Sequence, residues 1–407
     1  MELKVSENLN EKQKLAVEHT EGPLLIIAGP GSGKTRVITQ RIAHLIEHCD
    51  VKPWQIIAMT FTNKAAREMK DRLETLFSGE EQHRINASTF HSFCAMLLRR
   101  EADFLSLNQD YSILDDTDQI SLLKRVIDEV GIDPNQWKVR SIQSAISNAK
   151  SKLMTASVFG AGKNSYFEEI VDRVFTRYEE LVSQSNAVDF DDLIMNTNIL
   201  FQNHPEVLEK YQSRYLHVMV DEFQDTNLAQ YQIARQLAGL HKNLCVVGDP
   251  DQSIYSWRNA DITNILSFKK DYPDATEISL EQNYRSTKTI LAAAQKVISP
   301  NQNRVDKDLW TQNDEGSPII IAEAYDEFEE ARITLDEIQN LIDTGICKPD
   351  EIAIMFRVNA QSRVLEEACL KSGVSYQLIG GIRFYQRQEV KDIISYLRLL
   401  NNFNDDA

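Results

Sequence analysis

Residues 24–35 run Leu-Leu-Ile-Ile-Ala-Gly-Pro-Gly-Ser-Gly-Lys-Thr: an apolar stretch, three closely spaced glycines, then Lys34-Thr35 leading into a helical pattern. Few folds accommodate that succession. A buried strand must end in a turn that side chains would obstruct, and a helix must start at once. Gly29, Gly31 and Gly33 leave the backbone N–H groups of Ala28 to Thr35, Pro30 excepted and Ser32 included, free to turn inward beneath an anion. The helix N-terminus adds partial positive charge. In such a loop Lys34 is placed to bridge β- and γ-phosphates, and Thr35 to offer a hydroxyl to Mg²⁺. The strict pattern begins with Gly, and Ala28 stands there instead. Arg36, the next residue, reads equally well as a nucleotide contact or a solvated first-turn arginine.

Further apolar runs alternate with helical patterns: Ile56–Met59 before a helix over Ala65–Phe77, then Ile85–Thr89, Val218–Val220, Leu244–Val247 and Ile278–Leu280. That rhythm predicts a parallel α/β sheet with ligands at the strand carboxyl ends. Between about 110 and 200 only helices are expected, over Thr117–Val130, Arg140–Ser151, Tyr166–Ser183 and Asp189–Phe201. The α/β rhythm resumes with strands at Pro318–Ala322, Ile352–Phe356 and Tyr376–Ile379, and helices at Asp326–Ile342, Ala360–Lys371 and Glu389–Leu400. The expected division is a first α/β domain from 1–109 and 202–280, a helical insertion over 110–201, and a partial second α/β domain over 281–407.

A phosphate loop needs a metal-holding carboxylate at the end of another strand. Val218-Met219-Val220-Asp221-Glu222 supplies one, with Asp221 for the Mg²⁺ shell and Glu222 as base for an attacking water. The implied cofactors are ATP and Mg²⁺. No apolar run approaches the 18 residues of a membrane span, and five scattered cysteines without a CxxC pair suit a reducing cytoplasm. A net charge of −17 argues against a generally basic nucleic-acid binder but leaves room for a local track. Residues 61–100 carry seven Lys/Arg against five Asp/Glu. His83, His204, His217 and His241 lack metal-ligand spacing.

Longer motifs narrow the reading. Asp221-Glu222-Phe223-Gln224-Asp225-Thr226-Asn227 is followed by Gly248-Asp249-Pro250-Asp251-Gln252-Ser253-Ile254-Tyr255-Ser256-Trp257-Arg258, and then by Gln282-Asn283-Tyr284-Arg285-Ser286. With the glycine loop, these resemble the superfamily 1A DNA helicases of the UvrD/Rep/PcrA type along essentially the whole chain. The resemblance implies a RecA-like P-loop domain with a helical insertion, followed by an incomplete second RecA-like domain. It implies that Gln13 reads adenine, Tyr284 stacks on it, Arg285 reaches the γ-phosphate as an arginine finger, and Gln252 senses the γ-phosphate. For single-stranded DNA it implies contacts from Phe61, Thr62, Asn63, Lys64, Thr89 and His91, and a stacking platform of Tyr255, Trp257 and Arg258. Arg357 and Asn359 are the implied contacts of the second domain. Phe90 and Phe93 read as core; Phe190 stands open between DNA contact and surface aromatic.

Two later motifs of the family, one carrying a second arginine finger, do not occur in residues 380–407, so the chain reads as an N-terminal portion or a natural truncation. The implied activity is ATP-dependent translocation on single-stranded DNA and unwinding at single-strand/duplex junctions. Movement would be 3′-to-5′, in repair or replication and alongside proteins of those processes, by a monomer. The alternatives are a nucleotide-gated DNA-binding module with little turnover, and the motor subunit of a nuclease complex.

Overall fold

The computed structural model describes residues 9–77, 85–105, 107–162, 164–301, 304–305, 307–379, 392–394 and 396–397. Strand β1 (Leu24–Ala28) is buried throughout because it is covered on both faces. Leu25 and Ile27 enter one core with Phe93 and Phe223, while Leu24, Ile26 and Ala28 enter another with Val37 and Ile42. This explains why β1 reads as an unbroken apolar run rather than an alternating one. Each such fully buried aliphatic contributes about 1.5–3 kcal/mol.

The other strands are β2 (Ile56–Thr60), β3 (Asn86–Thr89), β4 (Ser112–Leu114), β5 (Ala187–Asp189), β6 (His217–Val220), β7 (Leu244–Gly248), β8 (Thr276–Leu280), β9 (Gln282–Asn283) and β10 (Trp310–Thr311). Six form one parallel sheet in the order β3-β2-β6-β7-β1-β8. All six carboxyl ends therefore share one edge, where the loops after β1, β2, β3, β6 and β7 meet. Phe90 and Phe93 are core residues, as their pattern indicated. All five cysteines are unpaired. Among the described residues no helix is long and apolar enough to cross a membrane.

The helical insertion packs around its own core of Leu123, Val126, Ile146, Val174 and Phe175. It is not purely helical: β4 and β5 pair in parallel, Ser112 opposite Ala187 and Leu114 opposite Asp189. Three-residue strands separated by some seventy residues carry too little periodicity to be seen in sequence. Beneath them Lys150, fully buried, bridges Asp189 at 2.8 Å and Asp192 at 2.6 Å. Asp189 also accepts from Tyr178 and Gln119 and caps the helix Phe190–Asn203.

The chain divides into two compact units, Met1–Gly316 and Ser317–Leu397. Residues 281–316, expected to open the second domain, belong to the first unit. Hydrogen bonds from Tyr284 N–H to Gly31 O and from Asn283 Nδ2 to Pro30 O tie them to the glycine loop, while β9 and β10 pair within the segment. In the second unit the helices Glu327–Asp343 and Ser362–Ser372 form as expected. The expected strands Pro318–Ala322, Ile352–Phe356 and Tyr376–Ile379 have no paired neighbour among the described residues. Ile321 and Met355 are more than nine-tenths exposed. β-propensity marks these segments, but a strand exists only where a neighbour takes its N–H and C=O groups. Of the expected helix Glu389–Leu400 the described residues are 392–394 and 396–397, and these are helical; His83 lies outside the described residues.

Candidate functional site

Beyond β1 the chain turns through Gly31 (φ 64°) and Gly33 (φ 87°) into the fifteen-residue helix Lys34–His48. Both angles are left-handed, where a side chain is strained. Gly31 is also crowded: a Cβ there would lie 2.7 Å from Arg285 Cβ and 2.8 Å from Asn283 Nδ2.

Lys34 Nζ lies 3.2 Å from Glu222 Oε2. Thr35 Oγ1 donates to Asp221 Oδ2 at 3.3 Å. Asp221 is buried; burial first, then the neighbouring Glu222 carboxylate, push it up to about 6, against the pull of Lys34. A buried carboxylate whose ionised form is disfavoured by its surroundings, beside a threonine hydroxyl, is a site that a divalent cation would complete. One carboxylate and one hydroxyl suit Mg²⁺ bound chiefly through nucleotide phosphates and water. Glu222 itself adopts φ 49°, a left-handed conformation costing about 1–2 kcal/mol for a non-glycine residue. Its amide donates to Asp221 Oδ1 at 2.9 Å, which holds that turn.

Gln13 and the motif around Arg285 meet on the same loop. Gln13 Nε2 donates to Ser32 O at 2.8 Å, and its Oε1 accepts from Asn10 N at 3.1 Å. One amide proton and one lone pair remain for a base. Asn10 Nδ2 donates to Tyr284 Oη at 2.8 Å, and Tyr284 Oη donates to Gln282 Oε1 at 2.9 Å. Tyr284 N–H donates to Gly31 O, and Asn283 Nδ2 to Pro30 O at 2.7 Å. Arg285 is exposed beside Gly31, with no carboxylate partner among the described residues. Arg36 is half-buried on the first turn of the helix.

A second set of contacts leads away from the carboxylates. Gln224, buried, donates from Nε2 to Glu222 Oε2 at 2.9 Å and accepts at Oε1 from Asp249 N at 2.9 Å. Asp249 Oδ2 accepts from Gln252 Nε2 at 2.5 Å. Gly248 is required here, since a Cβ would lie 2.7 Å from Gln224 Oε1. The roles of Gln224, Asn283 and Asn10 escaped the sequence reading. Gln224 and Asn283 stand within longer motifs and Asn10 within none given above, and each acts through one amide at a distance no periodicity records.

The aromatics expected to stack lie along the same sheet edge. Phe61 faces Tyr255 with ring centroids 4.7 Å apart, and Tyr255 faces Trp257 at 6.0 Å. The Arg258 guanidinium sits 4.7 Å from the Trp257 ring centre. Trp257 is 69% exposed, so this series of rings opens to solvent. Thr62 and Thr89 cap the helices Asn63–Leu76 and Phe90–Arg100, accepting from Ala65 N at 3.1 Å and Ser92 N at 3.2 Å. Since Thr60 and Thr89 are paired, the two helices start side by side, a geometry suited to successive phosphates. Asn63 and Lys64 are exposed on the first turn. Desolvation, then Arg258, push His91 down to about 4, so its ring is neutral near pH 7; it lies edge-on to Phe190 at 5.9 Å. Arg357 and Asn359 are exposed in the second unit, just ahead of the helix Ser362–Ser372.

Residues 9–273 match the model of the UvrD/REP helicase N-terminal domain, and residues 278–407 match that of the UvrD-like helicase C-terminal domain. The chain is 52% identical over 398 residues to the ATP-dependent DNA helicase PcrA of Bacillus subtilis, covering 98% of this chain and 54% of that relative. It is 51% identical over 399 residues to the proteins of the same name from Staphylococcus aureus and Staphylococcus epidermidis, with the same coverage. The chain thus spans about half the length of the curated relatives it matches.

Proposed function

The chain belongs to the UvrD/REP helicase family, and from that premise we propose that it is the ATP- and DNA-binding part of an ATP-dependent DNA helicase. One observation carries the reading: hydrogen bonds run from Glu222, beside the phosphate lysine, through Gln224 and Asp249 to Gln252. From there three residues lead to the aromatic series beginning at Tyr255.

In this reading the Ala28–Thr35 loop and Lys34 hold the nucleotide phosphates, while Gln13 and Tyr284 take the base. Thr35 and Asp221 would hold Mg²⁺, which would neutralise charge developing on the phosphates. Lys34 leaves Glu222 for the γ-phosphate, freeing the carboxylate to orient and deprotonate water. Arg285, exposed beside Gly31, swings onto the γ-phosphate. Gln252 registers whether that phosphate is present and moves the loop bearing Tyr255, Trp257 and Arg258. Phe61, Trp257 and Tyr255 stack on bases, while the helix starts at Thr62–Lys64 and Thr89–His91 take phosphates. His91, being neutral, contributes a hydrogen bond rather than a charge. Arg357 and Asn359 add contacts from the second unit.

Translocation is 3′-to-5′, the substrates are single strands and strand–duplex junctions, and the setting is cytoplasmic DNA repair or replication. ATP hydrolysis measured against added oligothymidine, with unwinding of 3′- and 5′-tailed duplexes, tests this. Stimulated hydrolysis with unwinding of the 3′-tailed duplex is expected. Nucleotide-dependent DNA binding without turnover would leave a gated binding module in its place.

A further inference from the structure

We propose that Lys307 is a positioning residue for the Asp249–Gln252 turn, supplying the buried positive charge that keeps Gln252 aligned between the nucleotide carboxylates and the aromatic loop. The inference rests on the function proposed above and adds a residue outside every motif considered so far.

The side chains of Lys307 and Asp249 are both fully inaccessible to solvent. Lys307 Nζ pairs with Asp249 Oδ1 and lies 3.1 Å from Asp251 Oδ2. Arg304 approaches Asp251 from the same segment at 3.5 Å. Asp249 thus divides its oxygens: Oδ1 takes Lys307 and the Asp251 amide at 3.1 Å, and Oδ2 takes Gln252 Nε2 at 2.5 Å. Two carboxylates two residues apart, one without water, repel unless a cation lies between them. Removing that cation would force Asp249 to protonate or turn outward, and either change withdraws the acceptor that orients Gln252. The same segment reaches the phosphate loop. Two residues on, the Leu309 side chain packs directly against Gly29, and β10 then pairs with β9 beside Tyr284. One short stretch therefore contacts both the phosphate loop and the sensing turn.

The test is Lys307→Met, which keeps the aliphatic stem and deletes the charge. Hydrogen exchange of the backbone amides of Asp251 and Gln252, which donate to Asp249, is expected to quicken about tenfold. Amides of the helix Lys34–His48 should keep their rates. DNA-stimulated kcat should fall about tenfold while KM for ATP stays within about twofold, because Lys34 and Gln13 are untouched. Adding Gln252→Ala should lower kcat no further, since both changes disable one device. Should Lys307→Met not fold, Lys307→Met with Asp251→Asn removes one carboxylate together with the cation and should restore folding. It should also return part of the turn's protection. Unchanged exchange in the turn, additive losses of kcat, or a double variant no better than the single one would each overturn the proposal. Exchange needs neither ATP nor DNA, so it decides the role of Lys307 even if the protein proves not to hydrolyse ATP.

Discussion

Gln224 holds Glu222 at 2.9 Å through its amide nitrogen, and with its amide oxygen holds the backbone N–H of Asp249, also at 2.9 Å. A single buried amide thus spans the loops that follow β6 and β7. Because β6 and β7 are adjacent in the sheet, a shift of the carboxylate on one loop is felt on the other without any distant relay.

Glu222→Gln keeps the side-chain shape and removes both the proposed base and the anion that Lys34 faces at 3.2 Å. ATP turnover should fall by about 10²–10⁴, while ATP binding persists. Equilibrium binding of a fluorescent nucleotide alongside a hydrolysis assay checks both halves; wild-type turnover in the variant would remove Glu222 from the chemistry.

Asp221 leads to a pH dependence. Its folded value of about 6, raised by burial and then by Glu222, lies above the ~3.9 of an unfolded aspartate. Ionised Asp221 therefore costs stability above pH 6, and that cost is relieved as the folded chain takes up a proton between about pH 6 and 4. Mg²⁺ requires the ionised form. The rise in melting temperature on adding Mg²⁺ with a non-hydrolysable ATP analogue should be larger at pH 7.5 than at pH 5.5. The Mg²⁺-dependent part of the rise should vanish in Asp221→Asn; equal increments at both pH values in the parent would contradict the assignment.

How much of this could be read beforehand follows from the kind of signal each part leaves. The phosphate loop is legible because every residue of Ala28–Thr35 is under a local constraint, and β1 because burial on both faces makes it uniformly apolar. The helix expected over Ala65–Phe77 forms at Asn63–Leu76, with Thr62 as its cap. The Lys150–Asp189–Asp192 cluster left no trace, since residues 39 and 42 positions apart follow no period. The β4–β5 ladder was missed for the same reason. The strand at Pro318–Ala322 was overread, because its isoleucines signal β-preference but cannot show that a neighbouring strand is present.

That buried cluster has its own consequence. Lys150→Met would leave Asp189 and Asp192 facing each other without a cation, and should destabilise the protein by about 3–5 kcal/mol. Urea unfolding followed by circular dichroism measures it; a loss below about 1 kcal/mol would show that the carboxylates escape to water or protonate at little cost.

Trp257 stands 69% exposed with Arg258 over its ring. One base stack contributes about 1–3 kcal/mol, so Trp257→Ala should weaken oligothymidine binding roughly tenfold or more. Fluorescence anisotropy reads the change directly, and unaltered affinity would take the platform away from this loop.

The central claim is that nucleotide state and DNA grip are one linked equilibrium. It is tested most directly by the dissociation constant for a labelled oligothymidine with and without a non-hydrolysable ATP analogue, in the parent and in Gln224→Leu. The parent should show a nucleotide-dependent difference of about fivefold or more, the usual range of coupling between linked sites. Gln224→Leu should reduce it to about onefold while still binding nucleotide. Equal DNA affinity in both nucleotide states of the parent, or full coupling in Gln224→Leu, would contradict the account.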